Sequence, residues 1–288
     1  MRAPQQTTVE KAQASLQPKK PARWHETLHQ RLQKKPLLFK ALFGVAVPVW
    51  VVISFYTAQF LLMLLIQGLV LVGVDFSGLN ESVLETVFSV AMYLLALVIV
   101  IGVPLLVLRK WPTRMQLGFK DIVPLWRDIG LAPMIFMAAF ISSAIAVALV
   151  GQLLPGLNIS TEQEVGFELA TQRYELLLAF LTLAIIGPIV EEVLFRGYLH
   201  GMLRKKFSAW VTIITTGLVF GALHLGIGQL VDWQWNVAID TFILSLWLGF
   251  MRERTGTIWV PILVHIIKNT VAFYILFIAP MLVVGAGI

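Results

Sequence analysis

From Ala41 to Val74 the chain runs without a single charged side chain. Such a stretch has few folded homes. A helix crossing a hydrocarbon core about 30 Å thick takes about 20 predominantly apolar residues, and lipid admits only helices and closed barrels. Six further segments repeat the pattern, so spans are predicted at roughly 41–74, 87–108, 130–154, 176–200, 208–227, 236–251 and 258–284. The first is long for one crossing: either Pro48 separates an interfacial entry from the span proper or the helix tilts. The expectation is an all-α, polytopic helical bundle of about seven spans, eight at most. Composition agrees. The chain is 58% hydrophobic and 13% charged, against about 45–50% and about 25% in soluble domains. Cysteine is absent, which removes disulfides, thiolate catalysis and Cys-ligated metals.

The charges lie between the spans and set their direction. Residues 1–40 carry nine Lys/Arg against two Glu. Lys and Arg recur in 109–129, at Arg204, Lys205 and Lys206, and at Arg252 and Arg254, whereas 75–86 and 228–235 have none. Segment 155–175 has Arg173 alone among four Glu. Cation-rich loops stay cytoplasmic, which predicts an N-terminus inside, a C-terminus outside and a multi-pass protein of the plasma membrane or an organelle. No secretory signal pattern opens the chain. Three regions are expected: a polar basic arm over 1–40, N-terminal spans over 41–170, and a functional core over 171–288. Within the arm, 1–22 reads as disordered and 23–40 as either an amphipathic surface helix or a solvated tail. The net charge of the whole chain, +6, gathers largely in this arm and suits anionic lipid rather than nucleic acid.

Titratable groups inside spans are costly and usually functional. Here they are Glu191, Glu192 and Arg196 in the fourth span, His224 in the fifth, Asp240 in the sixth, and His265 and Lys268, beside Asn269, in the seventh. Glu192 and Arg196 are four apart, on one helix face, and can pair. Phe220 and His224 repeat that spacing, as do His265 and Asn269. Pro188, just before the acids, removes a backbone hydrogen bond. At about 1.5 Å per residue, Glu191 and Glu192 lie about 21–23 Å before the hairpin tip near Lys206 and His224 about 27 Å after it. Asn269 lies about 21 Å, and His265 about 15 Å, past the tip near Thr255. The five residues therefore reach one level of the membrane. Asp240 reads as an interfacial or helix-end residue, and Lys268 as a cation that snorkels or pairs with an acid.

The ordered set Glu191-Glu192-x-x-x-Arg196, Phe220-x-x-x-His224 and His265-x-x-x-Asn269 resembles the CAAX prenyl protease and bacteriocin-processing family. That family is also called CPBP, Abi or type II CAAX endopeptidase-like. The resemblance covers roughly 185–272. It implies an all-helical intramembrane endopeptidase acting on membrane-associated proteins or peptides. Carried onto these residues, it implies that Glu191 and His224 activate a water, with Glu191 as general base. His265 and Asn269 would stabilise the oxyanion, while Glu192, Arg196 and Phe220 organise the site. Two chemistries stay open. One is metal-free, resting on a desolvated carboxylate and preorganised donors, and is the preferred one. The other is a Zn2+ site held by Glu191, His224 and His265, a ligand set that zinc accepts.

Two other functions fit the same residues: a non-catalytic scaffold or regulator of a partner membrane protein, and a proton-relaying transporter. Transporters often show paired repeats with broken helices in both halves, and no such symmetry is visible. His25-Glu26-Thr27-Leu28-His29 matches the HExxH zinc pattern, but it sits in the polar arm without a core to dehydrate it, so it is expected to be fortuitous.

Overall fold

The structure is a computed structural model; it describes residues 36–108, 112–160, 165–167, 169–226 and 233–285. The HExxH segment and the expected arm helix lie outside these residues, apart from its last turns. Of the unit Met1–Phe43 the described part is Pro36–Phe43, helical, with the Phe39 and Phe43 rings 6.2 Å apart. Everything below concerns the unit Gly44–Ile288.

Among the described residues seven helical rods follow one another and no strand occurs. They are α1 (Pro36–Leu71), α2 (Glu81–Leu97, continued through a π turn, Val98–Gly102, into Val103–Leu108) and α3 (Trp126–Leu153). Then α4 runs from Arg173 to Leu203 with π turns at Leu181–Ile186 and Val193–Leu199. It is followed by α5 (Ala209–Leu223), α6 (Trp235–Thr255) and α7, which begins as Trp259–Phe273 and continues past a π turn, Tyr274–Ile278. Rods α1, α2, α3, α4 and α7 are long and apolar enough to cross a membrane, so this is a multi-pass integral membrane protein.

The seven expected segments each find a rod, but two differ in kind. Helix α5 has 15 residues, about 22 Å at the α-helical rise, and stops at Leu223 instead of running to 227. Helix α6 carries Asp240 and ends in Arg252, Glu253 and Arg254, too polar to count as an apolar span. Conversely α1 stays helical through Pro48, so no break separates an entry segment there.

Lipid-facing positions carry bare apolar side chains such as Leu65, Val98, Phe140 and Leu177, all more than half exposed. The interior is small-residue packing plus polar contacts. Ala132, Ala139, Leu244, Leu248, Val260 and Val264 form one core between α3, α6 and α7. Helix ends follow ordinary capping chemistry. Asn80 accepts from Val83 N–H at the start of α2 and donates to Glu175 Oε1 at 2.6 Å. Glu175 in turn accepts from the N–H groups of Thr171 and Gln172 at 2.9 Å each, which satisfies donors that precede α4. Two carbonyls freed by prolines are claimed by neighbouring helices. Pro104 has no N–H for the Val100 carbonyl, and the Trp50 indole of α1 donates to it at 3.1 Å. The second such carbonyl, at Leu183, belongs to the site.

Candidate active site

Helix α4 builds the first half of the site, and its irregularity is what shapes it. In the π turn the Gly187 N–H bonds the Thr182 carbonyl, and the next residue, Pro188, has no N–H to give. The Leu183 carbonyl is thereby left without a partner from its own helix. Asn269 Nδ2 on α7 donates to it at 2.8 Å. Because a carbonyl only accepts, this contact fixes which end of the carboxamide is NH2. One amide N–H is used and the other remains for the cavity that Asn269 lines.

The two adjacent carboxylates then take different environments, as their 100° separation on a helix requires. The Glu192 side chain is fully buried. Its Oε1 accepts from Arg196 Nη1 at 2.8 Å and from His265 Nδ1 at 2.9 Å. Arg196 is equally buried; its Nη2 donates to Ser245 Oγ at 2.7 Å and its guanidinium lies 4.7 Å from the Phe220 ring centroid. That cation–π contact helps offset the desolvation of the charge. Phe220 is the hub: Phe195, His224 and His265 surround it with centroids at 4.8, 4.7 and 5.8 Å.

Glu191 keeps a 15% exposed side chain, which opens onto a cavity. Its Oε1 accepts from Tyr93 Oη at 3.0 Å, and its Oε2 lies 3.9 Å from His265 Nε2. Its neighbour His224 is not inside a span but in the capping position of α5, with φ −96° and ψ 7°. There its Nδ1 meets the Phe220 carbonyl at 2.8 Å. Nδ1 therefore carries the proton and the Nε2 lone pair is free.

Glu191, His224, His265 and Asn269 line one cavity of about 260 Å³, together with Tyr93, Lys268 and Thr241. Apolar walls come from Leu183, Ala272, Phe273, Leu276, Phe277 and Val165. Glu192, Arg196 and Phe220 stand behind it. Lys268 does pair with an acid: its Nζ is 3.0 Å from Asp240 Oδ2, and Asp240 also bonds Ser143 on α3. Asp240 is thus a cross-helix partner in the bundle. Sequence reasoning missed Tyr93, Ser245 and Thr241. An isolated hydroxyl in an apolar run was the only mark they carried, and no spacing rule ties Tyr93 to Glu191.

The expected zinc ligands fit only in part. His224 and His265 each have Nδ1 engaged by an oxygen, which leaves Nε2 as the nitrogen that could ligate zinc. However, among the described residues no three His, Asp or Glu side chains are gathered closely enough to hold one ion. The set as placed does not fit a metal.

Residues 173–271 match the family model described as type II CAAX prenyl endopeptidase, Rce1-like. The chain is 26% identical to the putative membrane peptidase YdiL of Bacillus subtilis over 197 residues, 66% of this chain and 72% of that protein. It is 23% identical to the membrane-embedded CAAX protease MroQ of Staphylococcus aureus over 227 residues, 76% of this chain and 84% of that one. It is 35% identical to the B. subtilis protein YpbD over 94 residues, 33% of this chain and 42% of that one. No solved structure matches. The family read from the three motifs is the family these comparisons return, and they support a membrane protease.

Proposed function

We propose that this chain, whose residues 173–271 match the Rce1-like type II CAAX endopeptidase family, is an intramembrane endopeptidase that hydrolyses peptide bonds of membrane-associated proteins or peptides. The carrying observation is the single cavity onto which Glu191, His224, His265 and Asn269 all open. A water held between Glu191 Oε2 and His224 Nε2 gives its proton to Glu191 and attacks the scissile carbonyl. The developing oxyanion takes the second Asn269 N–H and, with His265 as imidazolium, its Nε2–H. Collapse of the tetrahedral intermediate breaks the C–N bond, and the proton on Glu191 passes to the leaving amine. Glu192 supports the role of His265 by accepting its Nδ1–H at 2.9 Å, which fixes the orientation of the ring. Polar chemistry inside lipid needs this second layer, because an unpaired ion there is costly. The basic segments at 204–206 and 252–254 face the cytoplasm in this reading, by the excess of Lys and Arg.

The test compares the termini of membrane proteins in cells carrying the wild-type chain with those in cells carrying Glu191→Gln. Cleaved termini present in the first and missing from the second are expected. Identical termini, with the variant expressed to the same level, would overturn the reading.

A further inference from the structure

The cavity has one polar wall that the matched family segment does not supply. Tyr93 belongs to α2, outside residues 173–271, yet its hydroxyl donates to Glu191 Oε1 at 3.0 Å and its side chain lines the cavity. The approach depends on a gap in α4. Gly187 lies one helical turn before Glu191, on the same face. A Cβ placed there would stand 3.0 Å from Tyr93 Oη and 3.4 Å from its ring Cζ. The missing side chain is thus the slot that the phenol occupies. The contact also makes the two carboxylate oxygens unequal. Oε1 is engaged by a neutral donor, whereas among the described residues Oε2 has the His265 ring alone, 3.9 Å away, beyond direct hydrogen-bond reach.

Resting on the active-site reading above, we infer that Tyr93 is a positioning residue of this site. It locks the Glu191 rotamer and occupies Oε1, so that Oε2 is the oxygen presented to the attacking water. Catalytic groups work when held to within a fraction of an ångström by neighbours that are themselves fixed. Glu191, on a π-bulged helix, gets that hold from another helix.

The test uses the purified full chain in detergent and a synthetic peptide spanning a terminus that the Glu191→Gln cells fail to produce. Tyr93→Phe keeps the ring and removes the donor. It is expected to lower kcat by about tenfold to a hundredfold, the worth of one hydrogen bond to a charged group, while KM changes little. A second readout needs no turnover. The infrared carboxylate band of Glu191, isolated as the difference between wild type and Glu191→Gln, is expected to shift in Tyr93→Phe. Should Tyr93→Phe lose its fold, 3,5-difluorotyrosine at position 93 preserves the packing and alters only the donor, and is expected to move the acid limb of the pH–rate profile. Wild-type kcat and an unshifted band in Tyr93→Phe, or an unmoved limb with difluorotyrosine, would overturn the inference while leaving the active-site reading intact. Full cleavage by Glu191→Gln would instead remove the reading on which it rests.

Discussion

His265 turns its Nδ1 to Glu192, at 2.9 Å, and its Nε2 toward Glu191, at 3.9 Å. One imidazole therefore joins the fully buried carboxylate to the one that lines the cavity. The division follows from helix geometry. Adjacent residues point about 100° apart, so only one of two neighbouring acids can face the cavity, and the other must be neutralised inside the bundle.

Substitution of the hidden acid is expected to be the more destructive. Glu192→Gln leaves the Arg196 guanidinium, fully buried, without its counter-charge. Breaking a buried pair from one side costs about 3–5 kcal/mol. Thermal unfolding in detergent should show a large loss for Glu192→Gln and a small one for Glu191→Gln. Equal stability of the two would contradict the placement of the charges.

Asn269→Asp tests the carbonyl that Pro188 orphans. The replacement has nearly the same shape but no N–H, so the Leu183 carbonyl, met at 2.8 Å, faces an oxygen instead of a donor. A loss of about 1–3 kcal/mol is expected from an unsatisfied buried acceptor, together with loss of cleavage. A variant as stable as wild type would show that the carbonyl finds another partner.

Gly187→Ala inserts a methyl where Tyr93 Oη and the Thr182 carbonyl would lie 3.0 and 3.2 Å away. Overpacking of this kind costs about 1–3 kcal/mol. Here it also pushes the phenol off Glu191. Reduced turnover that Tyr93→Phe does not reduce further in the same chain is the expected result of a double-mutant comparison.

The polar end of α6 should give the protein an acid-sensitive contact. Glu253, beyond the 236–251 stretch, has its carboxyl held below the usual glutamate range, chiefly by the hydrogen bond from His200; burial, the next largest effect, opposes it, and the hydrogen bond from Arg204 adds to the lowering. Both contacts are 2.7 Å long. A depressed carboxyl pKa contributes stability above the unfolded value, about 4.3, and that stability is lost as pH falls through the folded value. Melting temperature should therefore drop below about pH 4.3 in wild type. The drop should be smaller in Glu253→Gln, and an identical pH dependence in both would refute the assignment.

Much of this was legible from residue order alone. Uncharged runs forced helices in lipid, because a chain there must satisfy its backbone internally. The i, i+4 spacings of Glu192 with Arg196, Phe220 with His224, and His265 with Asn269 put each pair on one face, and counting residues from the hairpin tips put the acids, the imidazoles and the carboxamide at one depth. Helix ends were less legible: α5 stops before the predicted boundary, so His224 acts from a cap, where its Nδ1 meets a carbonyl that no later turn of helix claims.

Periodicity fixes rotation about one helix axis and carries nothing about which helix comes alongside. The partnership of Tyr93 with Glu191, of Ser245 with Arg196, and of Asp240 with Lys268 each joins residues from different helices. Those pairs depend on how the rods pack, on the gap at Gly187 and on the π turns of α4, whose carbonyls are redirected by a proline. The sequence determined that a polar site had to exist within the bundle, since nothing about crossing lipid calls for those charges. Only the tertiary packing decided which acid is presented and which is buried, because that is settled by what lies across from each one.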